Sequence, residues 1–161
     1  MVIVYAVKGF DGANLPLDNP LQVPAHRYSG RVLASGKEAV RTTPKFERGR
    51  LLGDVVFVSG TAAIKGEDSE FSEDTRVQAL GAIDVVEHLV APSNISPDCS
   101  AFRFGYLRVY VRRPQDLEQV REIFISHFKD TPIHFLQADI CRPELLLELE
   151  GVGRALPFLK P

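Results

Sequence analysis

The stretch QADICRPELLLELEG, residues 137–151, sets two carboxylates, Glu148 and Glu150, among leucines. In an extended strand, side chains alternate between faces, so Leu145, Leu147 and Leu149 share one face and Leu146, Glu148 and Glu150 the other. The two acids then stand roughly 7 Å apart. On a sheltered face, burial and like-charge repulsion raise the pKa of such a carboxyl, which can then hold a proton near neutral pH and deliver it to a substrate. On a wet face the same acids only keep the sheet soluble. The residues alone leave both readings open.

Other residues could serve the same face. Arg142 shares strand parity with Glu148, although Pro143 lies between them, and a guanidinium is the natural fork for a carboxylate. In FRFGYLRVYVRR the apolar Leu107, Val109 and Val111 alternate with Tyr106, Arg108, Tyr110 and Arg112, which suit an anion site or salt bridges between subunits. Ser59, Gly60 and Thr61, in VSGTA, are expected to place backbone amides at a cleft rim. A nucleophilic serine is not expected, because no His and Asp partners are evident. His134 is a candidate cleft histidine. Cys99 and Cys141 form no CxxC pair and have no His at ligand spacing, so neither a metal site nor a disulfide framework is indicated. No cofactor is expected.

The elements that must position these groups are legible in part. MVIVYAV, residues 1–7, favours a strand and GFDGANLPLDNP a turn-rich connector, after which the polar residues 26–49 read as long loops. DVVFVSGTAAI, preceded by GRLLGD, suggests a two-stranded hairpin. SEDTRVQALGAIDVVEHLV switches to helical spacing, with Val77, Leu80, Ile83, Val86 and Val90 as the inward stripe and Ser72 or Asp74 as cap. APSNISPDCS reads as a loop. A second helix follows from Pro114, with Leu117, Val120, Ile123, Phe124 and Phe128 inward. Strands around PIHFLQADI and ELLLELEGVG complete an α+β sandwich, one mixed sheet with two helices on one face. The mixed-charge face opposite the helices is expected to pack against other subunits.

The 161 residues suit one domain, 1–161, with extended N-terminal loops over 1–47. Apolar content of 45% with 25% charged residues is that of a globular chain, and a net charge of −2 gives no general attraction to nucleic acid. No apolar run reaches the roughly 20 residues that span a bilayer, so a cytoplasmic protein without membrane association is expected.

Four segments, DVVFVSGTAAIKG, QALGAIDVVEHLV, YLRVYVRRPQDLEQVREIF and LLLELEGVG, occur in an order and spacing that resembles the RidA/YjgF superfamily, also labelled endoribonuclease L-PSP. The resemblance implies a chorismate-mutase-like α+β fold, homotrimers with small-ligand clefts between subunits, and hydrolysis of enamines and imines. NPLQVPAHRYS, PKFERG, VFVSGTAAIKGEDS and ADICRPELLLELEG look, more closely, like the C-terminal half of the chorismatases, which hydrolyse chorismate to pyruvate and a cyclohexadiene or benzoate product. Carried over on that resemblance, Glu148 is the general acid, Arg142 the clamp for a substrate carboxylate and Cys141 a cleft cysteine. Arg27 and Tyr28 would fold over the cleft. His134 stands where RidA deaminases carry an arginine, and a neutral His cannot grip a carboxylate in a bidentate way. The expected function is therefore a chorismatase-type hydrolase acting on a small carboxylate. The alternatives are an enamine/imine deaminase and a non-catalytic trimer that binds small acids. An acidic balance without an aromatic-basic platform gives the endoribonuclease label no support.

Overall fold

The computed structural model describes residues 7–30, 32, 43–69 and 73–158. Most of the strand expected at 1–7, the candidate cap Ser72 and part of the loop over 26–49 lie outside them.

Among the described residues eight strands and three α-helices follow one another as β1 Asn14–Leu17, β2 Gly49–Leu52, β3 Val55–Thr61, β4 Ile64–Lys65, β5 Asp68–Ser69, α1 Thr75–Leu89, α2 Pro92–Ile95, β6 Cys99–Val111, α3 Leu117–His127, β7 Ile133–Gln137 and β8 Leu147–Pro157. Six strands form one sheet in the order β1-β2-β3-β8-β6-β7. The β6–β7 pair, joined through α3, is parallel, and the other neighbours are antiparallel. This is the mixed sheet expected from the sequence. Three features were not expected. The connector at 9–20 contains β1, an edge strand that tolerates Pro16 because an edge position needs fewer ladder donors. The loop after α1 holds the short α2. After β3, β4 and β5 form a two-residue hairpin beside Gly66, whose φ of 61° is one that a residue with a Cβ resists.

The core lies between one sheet face and α1 and α3. Val56 and Val58 of β3, Leu107, Val109 and Val111 of β6, and Leu147 and Leu149 of β8 supply the sheet side. Their alternation with polar-tipped neighbours is the period of a half-buried strand. From α3, Val120 and Phe124 are fully buried, and Leu117, Ile123 and Phe128 pack partly buried against them, as their spacing predicted. Pro114 opens a 3-10 turn, Pro114–Asp116, before α3 begins.

Helix α1 is capped by Asp74, whose side chain accepts from the Arg76 amide at 2.8 Å. Its inward stripe is not the expected one. Ile83, Val86 and Val90 are buried, but Val77 and Leu80 are 46% and 48% exposed. Ala79 and Ala82, both completely buried, let the helix axis approach the sheet closely, and the buried arc rotates onto Gln78, Ala79, Ala82, Val86 and Leu89. A second correction concerns Leu145. It does not join Leu147 and Leu149 but packs with Ala62, Ile64 and Ile140 in a separate small cluster. The strand begins only at Leu147, so alternation does not extend back through the turn containing Pro143. Among the described residues no helix is long and apolar enough to cross a membrane.

Candidate active site

The helix-free sheet face gathers the polar side chains of β6 and β8. Register sets Arg108 opposite Glu150 and Tyr110 opposite Glu148. The Glu150 carboxylate is engaged through one oxygen: Arg108 Nε lies 2.9 Å from its Oε1, and the Tyr110 hydroxyl donates to the same oxygen at 2.5 Å. Arg108 also sits over the Tyr106 ring, 5.6 Å from its centroid. Burial, and next the bond to Glu150, push the Tyr110 phenol up to about 12, so it remains a donor throughout the physiological range.

Glu148 is placed differently. Its carboxyl lies against β3, directly over Gly60, where the β3–β8 register shifts between Val58 and Thr61. A Cβ built on Gly60 would fall 2.7 Å from Glu148 Cδ and closer still to Oε1, so glycine at this position makes the space the carboxyl occupies. Burial, and secondly the charge of Glu150, hold Glu148 above the ordinary carboxylate range. The pair is therefore divided by environment. Glu150 contacts a cation and a phenol, whereas burial and the Glu150 charge shift Glu148 toward its protonated form.

The connection between β7 and β8, residues 138–146, carries Cys141 and Arg142 to this face. Arg142 Nη1 donates to the Glu67 carbonyl at 2.8 Å and to Ser69 Oγ at 3.0 Å. Its guanidinium packs on the Tyr28 ring, 5.4 Å from the centroid. The buried Arg48 lies 5.4 Å from the same ring and donates to the Tyr28 hydroxyl. Tyr28 thus stands between two guanidiniums, a cation–π arrangement that fixes the ring and orients Arg142. The Cys141 side chain reaches solvent, yet burial and then the Glu148 charge raise its thiol pKa, against a smaller opposite pull from Arg142. The charges of Glu148 and Arg142 therefore both reach the thiol.

The structure brings most of the expected residues together: Glu148 against Gly60, Arg142 against Tyr28, Cys141 within their electrostatic reach, and Arg108 with Tyr106 on the adjoining strand. Arg27 stands apart, and His134 only borders the group through Arg108. His134 is exposed on the edge strand β7, beside Arg108 in register, and Arg27 is exposed in the 3-10 turn Ala25–Arg27. Arg112 is not part of an anion site. Its Nε donates to the Leu145 carbonyl and its Nη2 to those of Ile140 and Arg142. The Ser59 hydroxyl is spent on the Glu47 carbonyl at 2.6 Å, in keeping with a non-nucleophilic serine. Sequence reasoning missed Arg48 and Gln78. Gln78 gave no signal, because the inward stripe read from the helical period passed through Val77 and Leu80 instead.

An open groove of about 720 Å³ runs along β2 and β3 on the same sheet face, lined in part by Phe46, Arg50, Leu52, Phe57 and Ser59. Ser59 adjoins Gly60, but Glu148 does not line the groove. Two of its charged side chains, Glu47 and Arg50, are bonded to each other at 2.6 Å. Among the described residues no three His, Cys, Asp or Glu side chains are grouped to hold a metal.

No protein-family model matches the chain. A curated 3-hydroxybenzoate synthase of Streptomyces hygroscopicus is 33% identical over 165 residues, covering 94% of this chain and 46% of the relative. The crystal structure of a chorismatase superposes with a TM-score of 0.74 at 28% identity, over 88% of this chain and 44% of that one. A YjgF/YER057c/UK114 family member from Mycobacterium tuberculosis gives a TM-score of 0.55 at 18% identity, over 68% of this chain and 86% of that one, and so speaks for the fold alone. The chain spans about half the length of the curated relatives it matches.

Proposed function

We propose that this chain, which has the RidA/YjgF fold and is similar to one half of a chorismatase, is a chorismatase-type hydrolase that releases pyruvate from the enol ether of a small carboxylate. The observation that carries the reading is Glu148, a half-buried carboxyl seated over Gly60 and pushed toward its protonated form by burial and by Glu150. Cleaving an enolpyruvyl ether begins with a proton delivered to the terminal methylene carbon. The Glu148 carboxyl gives that proton, and the substrate becomes an oxocarbenium ion. Water adds to the cationic carbon and returns a proton to the Glu148 carboxylate. The resulting hemiketal collapses to pyruvate and the free alcohol. Arg142, oriented by Tyr28 and by its bonds to Glu67 and Ser69, is the fork for a substrate carboxylate. Cys141 lines the same side of the cleft.

The site lies open on one sheet face, and this chemistry needs the carboxyl shielded from bulk water while one water is admitted as the nucleophile. In the proposed assembly, a homotrimer, a neighbouring subunit closes it. The test is incubation of the purified protein with chorismate and enzymatic detection of pyruvate. Pyruvate release that saturates with chorismate supports the reading. Ammonia from 2-aminoacrylate with no pyruvate from chorismate would move the chain to the deaminases.

A further inference from the structure

The connection that carries Cys141 and Arg142 belongs to no strand or helix, and two side chains from distant elements hold its backbone. Arg112, the first residue past the end of β6, donates to three of its carbonyls: Leu145 at 2.8 Å, Ile140 at 2.6 Å and Arg142 at 2.9 Å. Its Nη1 also lies 3.7 Å from Asp139 Oδ1. From the opposite side Gln78 of α1, 1% exposed, donates to the Glu144 carbonyl at 2.8 Å and accepts from the Leu146 amide at 2.8 Å. Elsewhere in the sheet a strand ladder satisfies such groups. Here backbone bonds to the rest of the fold hold the two ends, Ala138 N–H donating to the Val111 carbonyl and Arg112 N–H to the Leu146 carbonyl, and a guanidinium and an amide act between them.

We propose that Arg112 is a positioning residue for the site. It holds the carbonyls before, at and after Arg142, and so sets the direction in which the Arg142 side chain leaves the turn. It does not bind the ligand itself, because its Nε and Nη2 are directed into the protein backbone. The proposal rests on the reading of Arg142 as the substrate-carboxylate fork. A planar fork with fixed donors is what the three carbonyls require, and the single ammonium of lysine cannot reach all of them.

The test is Arg112→Lys, which keeps the charge, read in two ways. Hydrogen exchange of the peptide covering 138–146 should accelerate about tenfold, while α3 peptides keep their wild-type rate. With chorismate as substrate, KM should rise about tenfold and kcat stay within about threefold, since the Arg112 side chain bonds the connection and not the strand that carries Glu148. Unchanged exchange at 138–146, or faster exchange there with unchanged KM, overturns the proposal. If α3 exchanges faster as well, the variant is globally destabilised. The same two readings on Arg112→Lys in a stabilising osmolyte that returns α3 to its wild-type rate then decide by the same criteria. Absence of pyruvate from the wild-type protein would overturn the chorismatase reading, and the exchange measurement would still show whether Arg112 holds the turn.

Discussion

The carboxyl of Glu148 occupies the space that a side chain at Gly60 would need. Two strands distant in sequence meet so that one contributes an acid and the other contributes nothing but room. Gly60→Ala therefore tests placement without touching chemistry. The methyl meets the far end of a flexible side chain, so the carboxyl moves and the backbone does not. Thermal stability should stay within about 1 kcal/mol of wild type. Pyruvate release should fall about tenfold or more, because a displaced acid no longer meets the reacting carbon. Steady-state kinetics alongside thermal melts separate the two effects.

Glu148→Gln should alter stability in a pH-dependent way. Burial, then Glu150, raise the Glu148 pKa in the folded chain, so the folded state binds its proton more tightly than the unfolded chain does. Below the unfolded value the carboxyl is protonated in both states and contributes no difference. As pH rises through the folded value, ionisation opposes folding in full. Glutamine cannot ionise, so the variant should melt above wild type at about pH 8, with the gap closing toward about pH 4. A variant that melts lower at every pH would show the carboxyl to be a structural anchor.

Glu150→Gln removes the neighbouring charge that helps hold the proton on Glu148. The alkaline limb of the pH–rate profile should then move to lower pH, the direction expected when like-charge repulsion is relieved. The same change weakens the bonds of Glu150 to Arg108 and Tyr110, at a cost of about 1–3 kcal/mol in stability. A pH profile that does not move would remove Glu150 from the tuning of its neighbour.

Asp74→Ala deletes the cap on the first turn of α1 and should lower stability by about 1 kcal/mol, read from a denaturant melt. The site should keep its activity, because α1 reaches it through Gln78, one turn further along.

The strand alternation around Leu107, Val109 and Val111 and the helical period of Val120 and Phe124 were legible because each follows from one local rule. The face that holds Glu148 and Glu150 was legible for the same reason, since parity within a strand needs no tertiary information. The rotation of α1 was not, because it depends on how closely Ala79 and Ala82 let the helix approach the sheet. The stack of Arg142, Tyr28 and Arg48 joins residues far apart in the chain, and no spacing announces it. Arg112 shares parity with Arg108 on paper, yet it sits just past the strand end and turns to the carbonyls of the neighbouring connection. Alternation loses its force where the ladder stops.

The decisive measurement is the rate of pyruvate release from chorismate by wild-type protein and by Glu148→Gln, both shown folded by circular dichroism. Release by wild type and a loss of about a thousandfold or more in the variant would establish Glu148 as the proton donor. Equal rates in the two proteins, or no pyruvate from wild type, would contradict it.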